Sequence, residues 1–398
     1  MANYIESECK TLINRMKENL FTIRTYSVRL TANLYSGCVF DCPYCYAPFI
    51  HKFNKNASPE EFGSKIFVKK NALNVLEKQI ERIKKSKDFR NEYVDLGTIT
   101  DCYQPMEKHY QLTRGTIEIL KKHDMPVTIL TKSDLVVRDI DLLQELAERN
   151  RAAVGFSITT SSVHEKYWKS FLEPGSPSTQ RRLDAIRKLR KAGIPTYVFV
   201  NPVVPYLSAS KESIHELFKE IKDTGNDSIF FGVMKLNPLT WGLFRKRLEK
   251  YDSSLVDKIQ ALYIKEGEKE FGRSWVPSYN YRNDLYTMAR ELAIEQELGF
   301  SCEGGFYHLW LNDWAEIESG FNYPSGYNFW LIIKKKEGQL VGFEEFKKEL
   351  ESKYSTLREN FLLKLLEFWC NGKLFSDLRD IQMIKNDKGI FYKYCGGK

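Results

Sequence analysis

The sequence predicts an α/β fold, a partial (β/α)6 TIM-like barrel with a C-terminal helical or mixed appendage, and three observations lead there. Short β-branched or aromatic runs at 27–34, 93–100, 127–131, 153–159, 196–203 and 229–235 recur at intervals of roughly thirty residues, the rhythm of βα units. Amphipathic segments near 69–87, 113–123, 137–149, 178–192 and 211–223 lie between them. Polar residues collect where the runs end, and in a parallel sheet those ends form one mouth. Six units fall short of the eight that close a full barrel.

In chain order, residues 1–26 read as an N-terminal helical extension and 27–237 as the barrel. Helix ends support the alternation. Ser133-Asp134 can open the third helix, Gly193 followed by Ile194-Pro195 closes the fourth, and Ser208 or Ser210 can cap the fifth. Residues 238–299 read as a helical extension, with helices over roughly 240–272 and 283–298. Residues 300–398 read as an appendage, a possible substrate lid or binding region, its start marked by Gly299, Gly304 and Gly305.

The 398 residues carry 60 Lys and Arg against 52 Asp and Glu, a net charge of +8. This tilt permits an anionic partner, nucleic acid included, although runs such as Lys334-Lys335-Lys336 are equally those of solvated helix faces. No run approaches the ~18 apolar residues of a membrane span. The first residues, MANYIESECK, are polar where a signal peptide would be apolar, so a cytoplasmic protein with no membrane partner is expected. Eight cysteines are too sparse for a disulfide framework, and a reducing compartment would keep them as thiol ligands.

Three of them stand close together. Residues 37–50 read GCVFDCPYCYAPFI, with Cys38, Cys42 and Cys45 at spacing C-x3-C-x2-C on the loop after the first run. With His51 as a fourth ligand they could hold a structural zinc ion. Alternatively they hold a 4Fe-4S cluster through three thiolates, one iron being left open for a small molecule with an amine and a carboxylate.

The C-x3-C-x2-C spacing, with Tyr44 just before the last cysteine, resembles the radical S-adenosylmethionine enzymes. Thr131-Lys132, Phe156-Ser157-Ile158 and Glu173-Pro174-Gly175-Ser176 with Arg182 downstream are similar in order and spacing to the spore photoproduct lyase branch, over about residues 30–205. The resemblance implies a 4Fe-4S cluster on Cys38, Cys42 and Cys45, and S-adenosylmethionine cleaved reductively to a 5′-deoxyadenosyl radical. It also implies an external electron donor of flavodoxin or ferredoxin type and a nucleic acid or nucleotide-derived substrate. By position it places Tyr44 and Tyr46 beside the cofactor, Lys132 at the methionine carboxylate and Ser157 in a polar contact. Thr159, Glu173 and Arg182 join the cofactor-binding set.

The chain departs from the lyase at one point. The lyase returns hydrogen through a cysteine just ahead of the Asp that ends strand two, whereas Gly97, Thr98, Ile99 and Thr100 precede Asp101 here. Cys102 follows instead, and Asp101, Cys102 and Tyr103 are the candidate catalytic residues: Cys102 as a thiol hydrogen donor or a pocket-wall residue, Asp101 as a contact to ribose or substrate or a helix cap. Aromatics downstream, among them Trp241, Trp275, Trp310, Trp314, Tyr323 and Trp330, are read either as core and lid or as stacking surfaces for bases. The alternatives for the whole chain are a radical enzyme acting on a peptide or small metabolite, and a non-catalytic zinc-binding adaptor.

Overall fold

The computed structural model describes residues 2–15, 29–85, 93–270, 274–303, 305–311, 326–354, 357, 359–376 and 378–396. Its strands are β1 (Asn3–Ser7), β2 (Ile13–Arg15), β3 (Arg29–Ala32), β4 (Tyr35–Ser36), β5 (Lys65–Lys69), β6 (Tyr93–Leu96), β7 (Val127–Thr131), β8 (Ala152–Ser157), β9 (Thr196–Val203), β10 (Ser228–Val233), β11 (Glu268–Glu270), β12 (Ser274–Val276), β13 (Gly299–Cys302), β14 (Val341–Gly342), β15 (Ile381–Asn386) and β16 (Gly389–Tyr394). The main sheet runs β13-β10-β9-β8-β7-β6-β3-β2, and all its pairs are parallel except β2 with β3. Helices cover it, so β8 and β10 are buried along their whole length and read as apolar runs rather than alternating ones.

All six expected strands are present in this sheet, and β13 adds a seventh parallel one. The expected boundary at residue 300 therefore falls inside a barrel strand, since Phe300 to Cys302 pair with Ile229 to Phe231. Residues 27 and 28 of the first run lie outside the described residues. The five expected helices appear as Ala72–Ile83, Leu112–Lys122, Ile140–Ala147, Thr179–Lys191 and Lys211–Lys222. Ser210, not Ser208, caps the last by accepting the Ser213 N–H.

Two expectations are corrected. The N-terminal extension is not helical where it is described: β1 pairs in parallel with β5, and β2 closes the edge of the main sheet. Gln79 fixes that edge, its Oε1 accepting the N–H groups of Leu12 and Ile13 at 2.7 and 2.9 Å. Nor is 240–272 one helical region. Helices Pro238–Tyr251 and Ser254–Gln260 and a π-turn over Ala261–Lys265 lead into the hairpin β11–β12.

The described residues of 326–396 have a core of their own, centred on Phe329, Phe346, Leu365, Trp369, Phe375 and Tyr392. Its order is helix Gly326–Lys335, β14, helix Phe343–Lys353, helix Glu359–Cys370 and the hairpin β15–β16, with sheet order β14-β16-β15. The downstream aromatics belong mainly to packing: Trp241 and Trp330 are buried, Tyr327 stacks between Trp310 and Trp330, and Trp330 Nε1 donates to Asp380 at 2.7 Å. Trp314 and Tyr323 lie outside the described residues.

Candidate active site

The cysteine loop is held in place from several elements before any ligand arrives. Gly37 opens it at φ +97°, and a Cβ there would stand 2.5 Å from the Lys65 carbonyl oxygen, so only glycine fits. The buried Gln104 clamps the next turn, its Oε1 accepting the Val39 N–H at 3.3 Å and its Nε2 donating to the Gly37 carbonyl at 3.4 Å. Arg247, on helix Pro238–Tyr251, grips Asp41 through its carbonyl and its carboxylate, each at 2.7 Å. From the 173–176 loop the Gly175 N–H donates to the Phe40 carbonyl at 3.1 Å, and a Cβ on Gly175 would meet the Val39 carbonyl oxygen at 2.1 Å. Gly175→Ala is therefore expected to push the cysteine loop out of register. Iron bound per chain after anaerobic reconstitution should fall several-fold while far-ultraviolet circular dichroism stays native.

Cys38, Cys42 and Cys45 all line one cavity of about 750 Å³ at the C-terminal ends of the parallel strands. Burial pushes all three thiols up, that of Cys42 to about 12, although the Lys132 ammonium acts to lower it. Thiols so placed ionise readily only when a metal centre takes up the charge. The Ala47 N–H donates to Cys45 Sγ at 3.4 Å, as backbone amides do toward cluster-ligating sulfur.

His51 does not complete the set. It is fully buried, its Nδ1 meets the Ser58 carbonyl at 3.1 Å, and its ring packs on Phe62 and Phe67. Among the described residues no three His, Cys, Asp or Glu side chains converge as ligands of a single ion. Three thiols opening on a shared cavity suit a larger polynuclear centre, so the donor set fits the iron–sulfur cluster and not the Cys3His zinc site.

Around the cysteines stand Tyr44, Tyr46, Asp101, Lys132 and Ser157, all lining the cavity. Tyr46 is 55% exposed and donates its hydroxyl to the Thr98 carbonyl, which places its ring at the rim. Asn33 shapes the adjoining turn, its Oδ1 accepting the N–H of Ile99 at 3.1 Å and of Thr100 at 3.4 Å. Asp101 is a knot between strand ends. Its carboxylate accepts from Thr131 Oγ1 at 2.8 Å, the Lys132 N–H at 2.7 Å and the Tyr103 N–H at 2.8 Å. Burial pushes its carboxyl up against those hydrogen bonds. With its oxygens so engaged, Asp101 positions Lys132.

Glu173, Arg182 and Thr159 lie behind the cavity wall rather than in it. Glu173 accepts from Tyr44 Oη at 2.5 Å and Thr159 Oγ1 at 3.1 Å, pairs with the fully buried Arg182, and stands 4.0 Å from Lys132 Nζ. Burial alone would raise its pKa, but Arg182, Lys132 and the hydrogen bonds hold it down at about 2. These residues thus carry the two side chains, Tyr44 and Lys132, that do face the cavity.

Cys102 and Tyr103 are not brought to the site. Both are packed in the barrel core, and neither lines the cavity. Tyr103 Oη donates to Asp139 at 3.0 Å, and burial pushes the Cys102 thiol well up, with Asp101 and Glu107 adding to the shift. The reading of Cys102 as a hydrogen donor is corrected: the strand-end turn at Asp101 directs the following residues inward, under helix Leu112–Lys122, where Thr113 Oγ1 bonds the Cys102 carbonyl at 2.6 Å.

Of the opposite wall, the polar end of the fifth run, Asn201, was expected at the mouth, whereas Lys235 and Glu303 were not singled out from the sequence. Asn201, Lys235 and Glu303, at the ends of β9, β10 and β13, line it beside Phe199 and Met234. Lys235 Nζ pairs with Glu270 at 2.7 Å and Glu303 at 2.9 Å, and Asn201 Nδ2 donates to Glu303 at 2.7 Å. Burial would lower the lysine's pKa, but the two carboxylates override it and raise it, so Lys235 stays charged. Glu303 escaped notice because β13, GFSC, lacks the β-branched run that marks the other strands.

Residues 32–221 match the family described as the radical SAM superfamily. An uncharacterised protein of Mycobacterium tuberculosis is 32% identical over 255 residues, 64% of this chain and 72% of its own length. A radical SAM Nalpha-GlyT isomerase of a Pseudomonas phage is 25% identical over 209 residues, 51% of this chain and 39% of that protein. Among solved structures, a spore photoproduct lyase variant superposes with a TM-score of 0.54 at 18% identity, covering 75% of this chain and 81% of that one. The chain belongs to the radical SAM superfamily, and its fold is that of the photoproduct-lyase-like branch. The cofactors of this superfamily are a 4Fe-4S cluster and S-adenosylmethionine, for which Cys38, Cys42 and Cys45 and the Lys132 side of the cavity are the fitting residues.

Proposed function

We propose that the chain is a hydrogen-abstracting radical enzyme acting on a nucleic acid or nucleotide-derived substrate, supplied with electrons by an external donor of flavodoxin or ferredoxin type. When bound, the cluster and S-adenosylmethionine supply a 5′-deoxyadenosyl radical. Cys38, Cys42 and Cys45 hold the cluster, Lys132 meets the methionine carboxylate as a compact cation, and Ser157 offers a hydroxyl to the same ligand. Asp101 and Glu173 keep Lys132 in place. The carrying observation is that one cavity holds both this half-site and, across from it, the donors Lys235 and Asn201, the acceptor Glu303 and the apolar ring of Phe199. A flat base with a polar edge meets those groups well. Two similar proteins support the same reading: a structure of the lyase holds a dinucleoside spore photoproduct, and the phage relative is called a Nalpha-GlyT isomerase.

A second reading, a peptide or small-metabolite substrate, draws on two charges. Lys235 is neutralised by two carboxylates, and on the described outer face of helix Glu359–Cys370 Lys364 is paired with Glu367 beside the exposed Leu363 and Leu366. Electrophoretic shift with single- and double-stranded DNA and RNA separates the two. Under the first, binding at low salt weakens steeply as salt rises; no binding at low salt overturns it in favour of the second. Turnover in deuterated buffer adds to this, since Cys102→Ala is expected to leave the deuterium content of the product unchanged.

A further inference from the structure

Among the described residues no group of His, Cys, Asp or Glu side chains offers a second metal centre. The proposed function has an external donor supply the electron, and the surface beside the cysteine loop has the features of a docking site for it. The short helix Ala47–Phe53 starts two residues after Cys45. It ends on Phe53, which is 82% exposed, the most exposed large apolar side chain among the described residues. Phe49 lines the cavity with one part of its ring and meets Phe53 edge-on at 6.4 Å with another, so apolar contact is continuous from the cavity to the surface.

The surrounding charge is positive. Lys52 and Lys55, which flank Phe53 in the chain, are exposed, and among the described residues no ion pair engages either of them. The acidic groups near this region have partners: Glu61 accepts the Ser58 N–H and pairs with Lys65, Glu60 is held by its own backbone N–H and the Ser58 hydroxyl, and Asp41 is gripped by Arg247. Such an aromatic, ringed by cations and left in water, is the anatomy of an interface hot spot with a charged rim.

We propose that Phe53, Lys52 and Lys55 form the docking surface for a small acidic one-electron donor protein. The donor is oxidised by one electron and the cluster is reduced by one; no proton or bond is transferred. The proposal rests on the iron–sulfur reading of the loop. Acidic groups on the donor would meet Lys52 and Lys55 and steer the encounter, while Phe53 seats against its apolar centre.

The test is a K52E/F53A/K55E variant of the full chain, with flavodoxin as the probe. Oxidised flavodoxin titrated onto wild type should bind more weakly as salt rises, and the variant should bind at least about tenfold more weakly with a flatter salt dependence. Formation of 5′-deoxyadenosine driven by reduced flavodoxin should slow about tenfold, while the dithionite-driven rate stays unchanged. Equal binding by variant and wild type overturns the proposal. So does an equal loss under both reductants, or a loss confined to single-stranded DNA binding, which would make Phe53 a stacking site for substrate. A wild-type chain that holds no iron would instead contradict the iron–sulfur reading, and the binding titration would still decide whether the patch seats the donor.

Discussion

A Cys42→Ala chain is expected to lose bound iron and all formation of 5′-deoxyadenosine together, a fall to the detection limit rather than a partial one. On the proposed reading Cys42 is the middle ligand, and among the described residues the cavity is lined by no other cysteine than Cys38, Cys42 and Cys45, while His51 Nδ1 meets the Ser58 carbonyl instead. Two thiolates do not hold a cubane that wants at least three. Iron analysis and anaerobic product chromatography on the same preparation check it. Since the loop is fixed by Gln104, Gly175 and Arg247, the variant should unfold at nearly the wild-type denaturant midpoint.

Glu173→Gln is expected to cost about 3–5 kcal/mol of stability, because it strands the fully buried Arg182 without its counter-charge. The loss would show as a lower midpoint in urea with an unchanged slope. A Glu173→Met/Arg182→Met double variant removes both charges and should recover much of that loss. Neither should restore full S-adenosylmethionine affinity, since Tyr44 and Lys132 lose their common support. The same pair sets an acid limit. The Glu173 carboxyl is held at about 2, below its ordinary value of 4.5, so its contribution is complete above pH 4.5 and is lost as pH falls toward 2. Replacing Glu173 by Gln should flatten stability across that window.

The barrel was legible because its strands are buried on both faces and its helices on one, which gives each a distinct pattern. What escaped was short or unpatterned. β1 and β2 are edge strands of five and three residues, too short to override a reading that joined their polar residues to the flanking sequence. β13 has a single large apolar residue, Phe300, and gains its place from pairing with β10 rather than from propensity. The stretch 240–272 read as one helical region because the residues of β11 alternate in charge, Glu268-Lys269-Glu270, as readily as a solvated helix face does.

At the site, the cysteine spacing carried the chemistry, and Tyr44, Tyr46, Lys132 and Ser157 all face the cavity. Sequence order could not separate residues that touch the cavity from those one layer behind. Glu173 and Arg182 stand in that second layer because their charges compensate each other in the interior, and Cys102 is turned away by a bend that only Asp101's three hydrogen bonds reveal. Gln104, at the same strand end as Asp101, is a clamp on the cysteine loop, since both ends of its amide are taken by backbone groups.

The most direct measurement is made on the wild-type chain under strict anaerobiosis. After reconstitution with iron and sulfide, the protein should bind about four irons and, with dithionite and S-adenosylmethionine, release 5′-deoxyadenosine and methionine. Stoichiometric zinc in place of iron, or an intact iron–sulfur cluster that leaves S-adenosylmethionine uncleaved after full reduction, would contradict it.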